Sequence, residues 1–214
     1  MISNIANEIG DTLNVEIVAI DSYTLEKHYN DKNTINKINS NTWDFVVLQE
    51  QSQRPVFDIS TFCDQTLKYS QKLLELIMNN NPNCEVLLFM TWGRRYGDTE
   101  LCSKLPYTCS FEEMQNKLIE RYELLADYLG ISVVPCGRLW KKIILDDDTN
   151  INPFFTDNSH PNEIGSFMNA MLFYSVFTNK LIEKFNYNPV FSLNDNEFQY
   201  LISISNFIYQ TYFP

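Results

Sequence analysis

Short apolar runs alternate with longer amphipathic stretches along the chain. Four runs are short and apolar enough to be strands, at residues 15–20, 43–48, 85–90 and 131–135, and those at 43–48 and 85–90 are apolar enough to be buried in a sheet. The stretches between them repeat their apolar positions every three to four residues, as helices do. This pattern predicts helices at residues 2–9, 60–78, 110–129, 139–145, 161–178 and 192–212, and two short helices between residues 24 and 38.

Strands that alternate with helices of this length favour βαβ units. Such units build a parallel sheet with helices on both of its faces, so the predicted fold class is α/β. A chain of 214 residues is long enough to bury the core of one domain. No repeat or linker interrupts the pattern, and we therefore predict a single domain over residues 1–214.

Polar motifs follow the predicted strands or precede the predicted helices. They are Asp21-Ser22, residues 49–54, residues 92–95 and the segment from Asp157 to His160. In an open parallel sheet the ligand crevice lies at the carboxyl ends of the strands. The four motifs are therefore expected to converge on one catalytic edge.

Asp157 and His160 are spaced as a general base and the residue that orients it. A carboxylate three residues before a histidine can accept its Nδ1 proton, which leaves Nε2 free to take a proton from a nucleophile. The alternative interpretation is an aspartate that caps a helix next to an incidental surface histidine. His160 is one of only two histidines in the chain.

The other motifs admit two interpretations each. The carboxamides of residues 49–54 could donate to an oxyanion, or could belong to an ordinary polar loop. Arg94 and Arg95 could hold an anionic or carbohydrate substrate beside Trp92, or could pair with carboxylates of this acidic protein. Ser22 superficially resembles the serine of a Gly-Asp-Ser-Leu motif without its glycine, or is a turn residue.

Composition excludes several classes of protein. The net charge of −11 argues against binding to nucleic acid or to an anionic membrane surface. No apolar run reaches the roughly 18–20 residues of a membrane span. The five cysteines form no CxxC motif and the histidines are far apart, so neither a metal nor another cofactor is expected. Cys102 and Cys109 could form a disulfide in an exported protein, or could stay reduced in the cytoplasm.

Three stretches together resemble the SGNH (GDSL-like) hydrolase superfamily, and in particular a branch with a Leu-Gln-Glu-Gln-Ser block. They are Trp-Asp-Phe-Val-Val-Leu-Gln-Glu-Gln-Ser-Gln-Arg-Pro at residues 43–55, Met-Thr-Trp-Gly-Arg-Arg at 90–95, and Asp-Asn-Ser-His-Pro at 157–161 with Gly165. The resemblance implies a flavodoxin-like three-layer α/β/α sandwich. It also implies hydrolysis of esters without a metal, often of acetyl groups on carbohydrates.

The resemblance also implies roles for single residues. His160 would be the general base and Asp157 the residue that orients it. Ser22 would stand where the family has an oxyanion-hole glycine, with its backbone N–H still able to donate. In place of the family's oxyanion asparagine, Gln51 is the first candidate and Gln49 the second.

The chain departs from the family at its start. The family's first strand ends in Gly-Asp-Ser or Gly-Asn-Ser, which carries the nucleophilic serine, and this chain begins inside the helix that follows. Loss of a central strand would leave backbone groups unpaired, which favours a gene start placed too far downstream over a shortened, inactive protein. A third interpretation takes Ser22 as a replacement nucleophile.

The sequence thus predicts an SGNH-type serine ester hydrolase that acts on a small-molecule or carbohydrate ester and is inactive as the 214-residue chain. Trp92, Arg94 and Arg95 would contact the substrate. The alternative is a non-catalytic protein that binds a carbohydrate or a partner with residues 92–95 and 96–107. Oligomeric state and localisation stay open, with the cytoplasm expected if Met1 is the true start.

Overall fold

The computed structural model describes residues 1–183, 185, 190 and 192–214. Three strands in this part of the chain form one parallel sheet in the order β1-β2-β3, with β1 at Phe45–Leu48, β2 at Glu85–Phe89 and β3 at Ser132–Val134. The helices are α1 Ile2–Ile9, α2 Leu25–Asn30, α3 Lys32–Asn39, α4 Ile59–Phe62, α5 Lys68–Asn80, α6 Phe111–Leu129, α7 Cys136–Ile144, α8 Glu163–Thr178 and α9 Asp195–Tyr212. A π-helical segment, Cys63–Leu67, joins α4 to α5, and 3-10 turns lie at Arg54–Val56 and Pro106–Thr108. None of the described helices is both long and apolar enough to cross a membrane.

Two apolar cores lie on opposite faces of the sheet. Leu87 of β2 belongs to the core formed by α1, α7, α8 and α9, whereas Val86 and Leu88 belong to the core formed by α2, α3, α5 and α6. Alternate side chains of a strand point to opposite faces, which explains this division. Leu87 and Leu88 are at most 1% exposed, and full burial of such a side chain stabilises the fold by about 1.5–3 kcal/mol. The predicted three-layer α/β/α arrangement is confirmed.

The strand predicted at residues 15–20 is wrong. This segment has no regular secondary structure, and Ile17 is 77% exposed, Ile20 42% and Val15 37%. An apolar run becomes a strand only where a neighbour pairs with its backbone. No strand of the described chain lies beside it.

The outer edge of β1 is open. The carbonyl of Asp44 accepts from the N–H of Glu85, and alternate residues of a strand turn their backbone groups to opposite sides. Val46 and Leu48 therefore face β2, while the N–H and C=O groups of Phe45 and Val47 face outward. No other described strand pairs with that side of β1.

The remaining strands and most helices lie where the apolar pattern places them, with shifted ends. The helix predicted from Pro161 begins at Glu163 instead, and the side chain of Asn162 before it accepts from the Gly165 N–H at 3.1 Å. The helix predicted at residues 192–212 begins at Asp195, and Asn194 caps it. Both corrections have the same cause, since an asparagine oxygen can satisfy the free N–H groups of a first helical turn.

A disulfide joins Cys102 to Cys109, with 4.6 Å between their Cα atoms. It closes part of the long loop between β2 and α6. The other three cysteines, Cys63, Cys84 and Cys136, are free thiols. The structure thus selects one of the two states that the sequence left open for this pair.

Candidate active site

Asp157 and His160 are hydrogen-bonded to each other in the loop before α8. Asp157 Oδ2 lies 2.6 Å from His160 Nδ1, and Asp157 Oδ1 accepts the backbone N–H groups of Ser159 and His160 at 2.9 Å each. The bond to the imidazole, followed by these two N–H groups, lowers the pKa of Asp157 to about 2. An ionised carboxylate can only accept, so Nδ1 carries the proton.

This arrangement leaves Nε2 of His160 available for chemistry. The His160 side chain is 71% exposed, and no residue in the described part of the chain bonds to Nε2. A neutral imidazole with a protonated Nδ1 has its lone pair on Nε2. The pair can therefore accept a proton from a hydroxyl group brought to Nε2.

Backbone hydrogen bonds hold the dyad loop, which we define as residues 153–162. The Phe155 N–H donates to the His160 carbonyl at 2.8 Å, and the Asn162 N–H donates to the Pro153 carbonyl at 2.9 Å. Asn158 adopts a positive φ of 59°, a conformation that asparagine tolerates better than most residues. The loop is therefore fixed from within at both of its ends.

Gly165 brings α8 against this loop. A Cβ atom at this position would lie 2.5 Å from the Pro153 carbonyl oxygen and 2.6 Å from the Trp140 ring. Only glycine permits this approach, because neither a backbone oxygen nor a buried indole can easily move away. Gly165 therefore helps to set where His160 stands.

Trp92 supports the dyad loop from the side of the sheet. Its ring stacks on Trp140 with 4.1 Å between centroids, and its Nε1–H donates to the Ser159 carbonyl at 2.9 Å. The predicted substrate contact of Trp92 stays a prediction. What the structure adds is a positioning contact one residue away from His160.

The two predicted arginines differ in their surroundings. Arg94 Nε lies 3.2 Å from Oδ2 of Asp98, a carboxylate that is fully buried. Arg95 donates its backbone N–H to the Asn158 carbonyl at 3.0 Å, and its guanidinium lies 5.4 Å from the Tyr96 ring centroid. Arg94 therefore pairs inside the protein, whereas Arg95 lies beside the dyad loop.

Asp98 is a site residue that sequence reasoning missed. Its Oδ2 accepts from Gln53 Nε2 at 2.6 Å, and its Oδ1 accepts the N–H groups of Glu100 and Leu101 at 3.1 Å. The carboxylate thus joins the loop after β2 to the loop after β1. Its sequence signal is weak, since an Asp that follows a glycine in a loop is common.

The glutamines after β1 are partly engaged with their own loop. Gln51 Oε1 accepts from the backbone of Gln53 at 2.9 Å and of Arg54 at 3.2 Å, and Gln51 Nε2 donates to Gln53 Oε1 at 3.0 Å. An amide nitrogen carries two hydrogens, so one Gln51 N–H is still available. Gln49 is exposed, and its side chain bonds to none of the described residues.

Glu50 is the second site residue that sequence reasoning missed. It is 2% exposed, and its Oε1 accepts from the Leu25 N–H at 3.1 Å and the Gln51 N–H at 2.8 Å. Burial raises the pKa of Glu50, against the effect of these bonds and of Arg54. One carboxylate therefore ties the first turn of α2 to the loop that carries Gln51. A charged residue at the end of an apolar strand was the available signal.

Ser22 lies in the turn before α2 with a φ of 58°. This is the left-handed region that glycine favours, which agrees with a serine in a glycine position. Its carbonyl accepts from Lys27 Nζ at 3.2 Å, and no hydrogen bond joins its hydroxyl to His160. The geometry lends no support to Ser22 as the nucleophile.

No protein-family model matches the chain, and no curated protein matches its sequence. Among solved structures it is similar to a DUF4886 family protein from Bacteroides uniformis, with a TM-score of 0.77 and 14% identity over 98% of this chain and 89% of that one. It is also similar to a protein from Slackia heliotrinireducens that is provisionally described as an SGNH hydrolase. That match has a TM-score of 0.58 and 22% identity over 73% of this chain and 80% of the other.

The chain has a flavodoxin-like α/β/α fold. At identities of 14% and 22% the two solved structures establish the fold alone. The fold that the resemblance implies is thereby confirmed, and one neighbour with this fold carries the SGNH description. Among the described residues, no three His, Cys, Asp or Glu side chains are grouped as they would be around a metal ion.

Proposed function

We propose that this protein is an SGNH-type serine ester hydrolase in which Asp157 and His160 provide the general base. The observation that carries the proposal is the Asp157–His160 pair, whose 2.6 Å bond fixes Nδ1 and leaves Nε2 exposed. A serine hydroxyl at Nε2 would give up its proton to His160 as its oxygen attacks an ester carbonyl. His160 would then return that proton to the leaving alcohol, and a water would release the acyl group by the same route.

The tetrahedral intermediate needs donors for its oxyanion. The Ser22 N–H and the remaining N–H of Gln51 are the proposed donors, with Gln49 as the second candidate to Gln51. The single carboxylate of Glu50 bonds to the N–H of Gln51 and to the N–H of Leu25, three residues after Ser22. That shared anchor supports a common role for the two loops.

The serine itself would come from a strand that ends in Gly-Asp-Ser or Gly-Asn-Ser, a sequence that residues 1–214 do not contain. The open outer edge of β1, with the backbone groups of Phe45 and Val47 turned outward, could receive such a strand. Alternating backbone hydrogen bonds would then extend the sheet from three strands to four. Parallel to β1, this strand would have its carboxyl end on the same side of the sheet as the dyad loop.

Hydrolysis of p-nitrophenyl acetate tests the proposal. Residues 1–214 alone should not hydrolyse this ester. A form with an apolar strand and Gly-Asn-Ser or Gly-Asp-Ser added ahead of Met1 should be active. In the active form His160→Ala should abolish hydrolysis, and retained activity would remove the dyad from the mechanism.

Non-catalytic binding of a carbohydrate is the second candidate. Two exposed aromatic side chains favour it, Tyr96 at 68% and Phe155 at 54%, because flat apolar rings can stack against sugars. Sugar binding by residues 1–214, together with no esterase activity in a serine-bearing form, would select this candidate over the hydrolase.

A further inference from the structure

Arg95 differs from the other arginines of the described chain. Its guanidinium makes no ion pair or hydrogen bond with any residue that the structure describes. The other four are engaged: Arg54 with Gln65, Arg94 with Asp98, Arg121 with Glu120 and Arg138 with Glu123.

The position of Arg95 is fixed relative to the dyad. Its backbone N–H bonds to the carbonyl of Asn158, the residue that follows Asp157 in the dyad loop. Its guanidinium is held near the Tyr96 ring, 5.4 Å from the centroid, an attractive cation–π contact. Such a contact limits the conformations of the side chain without neutralising its charge. No described residue uses the five N–H donors of the guanidinium, and the backbone of Arg95 is bonded to the dyad loop.

Exposed aromatic rings lie on both of the segments that this backbone bond joins. Tyr96 follows Arg95 directly and is 68% exposed, and Phe155 lies in the dyad loop and is 54% exposed. The bond between the Arg95 N–H and the Asn158 carbonyl thus places one exposed ring on each of two adjacent segments. A sugar ring has apolar C–H faces that suit contact with an aromatic ring, and polar edges that do not require burial.

We infer that Arg95, Tyr96 and Phe155 form a subsite for a carboxylate-bearing sugar. The guanidinium matches a carboxylate with two parallel N–H···O bonds, and the rings receive the faces of the sugar. The inference rests on the proposed function in taking the dyad as the reacting centre. It names the substrate class of that site: esters of acidic saccharides.

Isothermal titration calorimetry on residues 1–214 tests the subsite without any need for catalysis. Trigalacturonate should bind, more weakly as salt is added, while the neutral galactotriose should bind at least tenfold more weakly. Arg95→Gln should weaken trigalacturonate binding by about tenfold, as expected for a lost charged hydrogen-bonded pair at a partly exposed site. The affinity of Arg95→Lys should lie between those of the unmodified chain and Arg95→Gln, because lysine keeps the charge and loses the planar guanidinium.

Arg138→Gln is the matched control, since Arg138 is already paired with Glu123, and it should bind trigalacturonate like the unmodified chain. Equal affinity for both trisaccharides, absence of trigalacturonate binding, or unchanged binding in Arg95→Gln would overturn the subsite. Benzoate that binds as tightly as trigalacturonate would overturn the assignment to a sugar.

The outcome is separable from that of the proposed function. Carboxylate-dependent binding in a protein that never hydrolyses esters would leave the subsite standing and contradict the hydrolase. Ester hydrolysis in a serine-bearing form, without carboxylate-dependent binding, would contradict the subsite alone.

Discussion

Replacement of Glu50 by alanine should destabilise the protein through two backbone donors. The carboxylate accepts the buried N–H of Leu25 at 3.1 Å and the partly buried N–H of Gln51 at 2.8 Å. A buried N–H left without a partner costs about 1–3 kcal/mol, and a partly solvated one costs less. The variant also lacks the unfavourable desolvation of a buried carboxyl group, which offsets part of this loss. We expect a net loss of about 2–3 kcal/mol in the free energy of unfolding.

Urea denaturation at pH 7 measures the effect, provided that the slope of the transition is unchanged. Glu50→Gln keeps an acceptor oxygen and should cost less than about 1 kcal/mol. Glu112→Ala is the surface control, because its side chain is 57% exposed, and it should lie within about 0.5 kcal/mol of the unmodified protein.

The raised pKa of Glu50 also determines the direction in which stability changes with pH. Burial raises the pKa of Glu50, so the folded state holds this proton more tightly than the unfolded state does. The stability from this proton is present below the ordinary glutamate pKa and is lost as pH rises through the folded value. Glu50→Gln removes that loss and should therefore gain stability relative to the unmodified protein as pH rises from about 4 to 7.

Two results would refute this reasoning about Glu50. If Glu50→Ala stays within about 0.5 kcal/mol of the unmodified protein, the two N–H groups do not depend on it. If Glu50→Gln costs as much as Glu50→Ala, an acceptor oxygen is not what the position requires.

Three further predictions concern the dyad loop and its surroundings. Gly165→Ala should lower the free energy of unfolding by about 1–3 kcal/mol, because its Cβ would meet the Pro153 carbonyl at 2.5 Å, and thermal denaturation should show a lower Tm. Reduction of the Cys102–Cys109 disulfide should speed proteolysis within residues 98–110, and a Cys102→Ser/Cys109→Ser variant should do the same without reductant. The Asp157 carboxyl should titrate near pH 2 by carbon NMR, and a midpoint near 4 would mean that its bond to the imidazole does not persist in solution.

Most of the fold could be predicted from the local pattern of apolar and polar residues. The strands at Phe45–Leu48 and Glu85–Phe89 could be predicted because each is an apolar run bounded by polar residues. The helix that begins after Ser110 could be predicted because serine caps a first turn, and its side chain indeed accepts the Glu113 N–H. Residues 15–20 show the limit of such reasoning, since an apolar run cannot reveal whether another strand lies beside it.

The candidate site could be predicted only where its members are close in sequence. Asp157 and His160 are three residues apart, so the spacing itself predicts their bond. The links from Asp98 to Gln53 and from Glu50 to Leu25 join residues 45 and 25 positions apart, and only folding reveals them. The tandem arginines 94 and 95 look alike in sequence, yet one pairs with a buried carboxylate and the other does not.

The position of the proton on His160 tests the central claim most directly. The chain has two histidines, so nitrogen-15 NMR of residues 1–214 gives two imidazole patterns, which a His28→Gln variant assigns. Above about pH 8, where an ordinary imidazole is neutral, His160 should carry its proton on Nδ1 and a free lone pair on Nε2. A proton on Nε2 would contradict the account, because His160 could not then act as the base toward a serine.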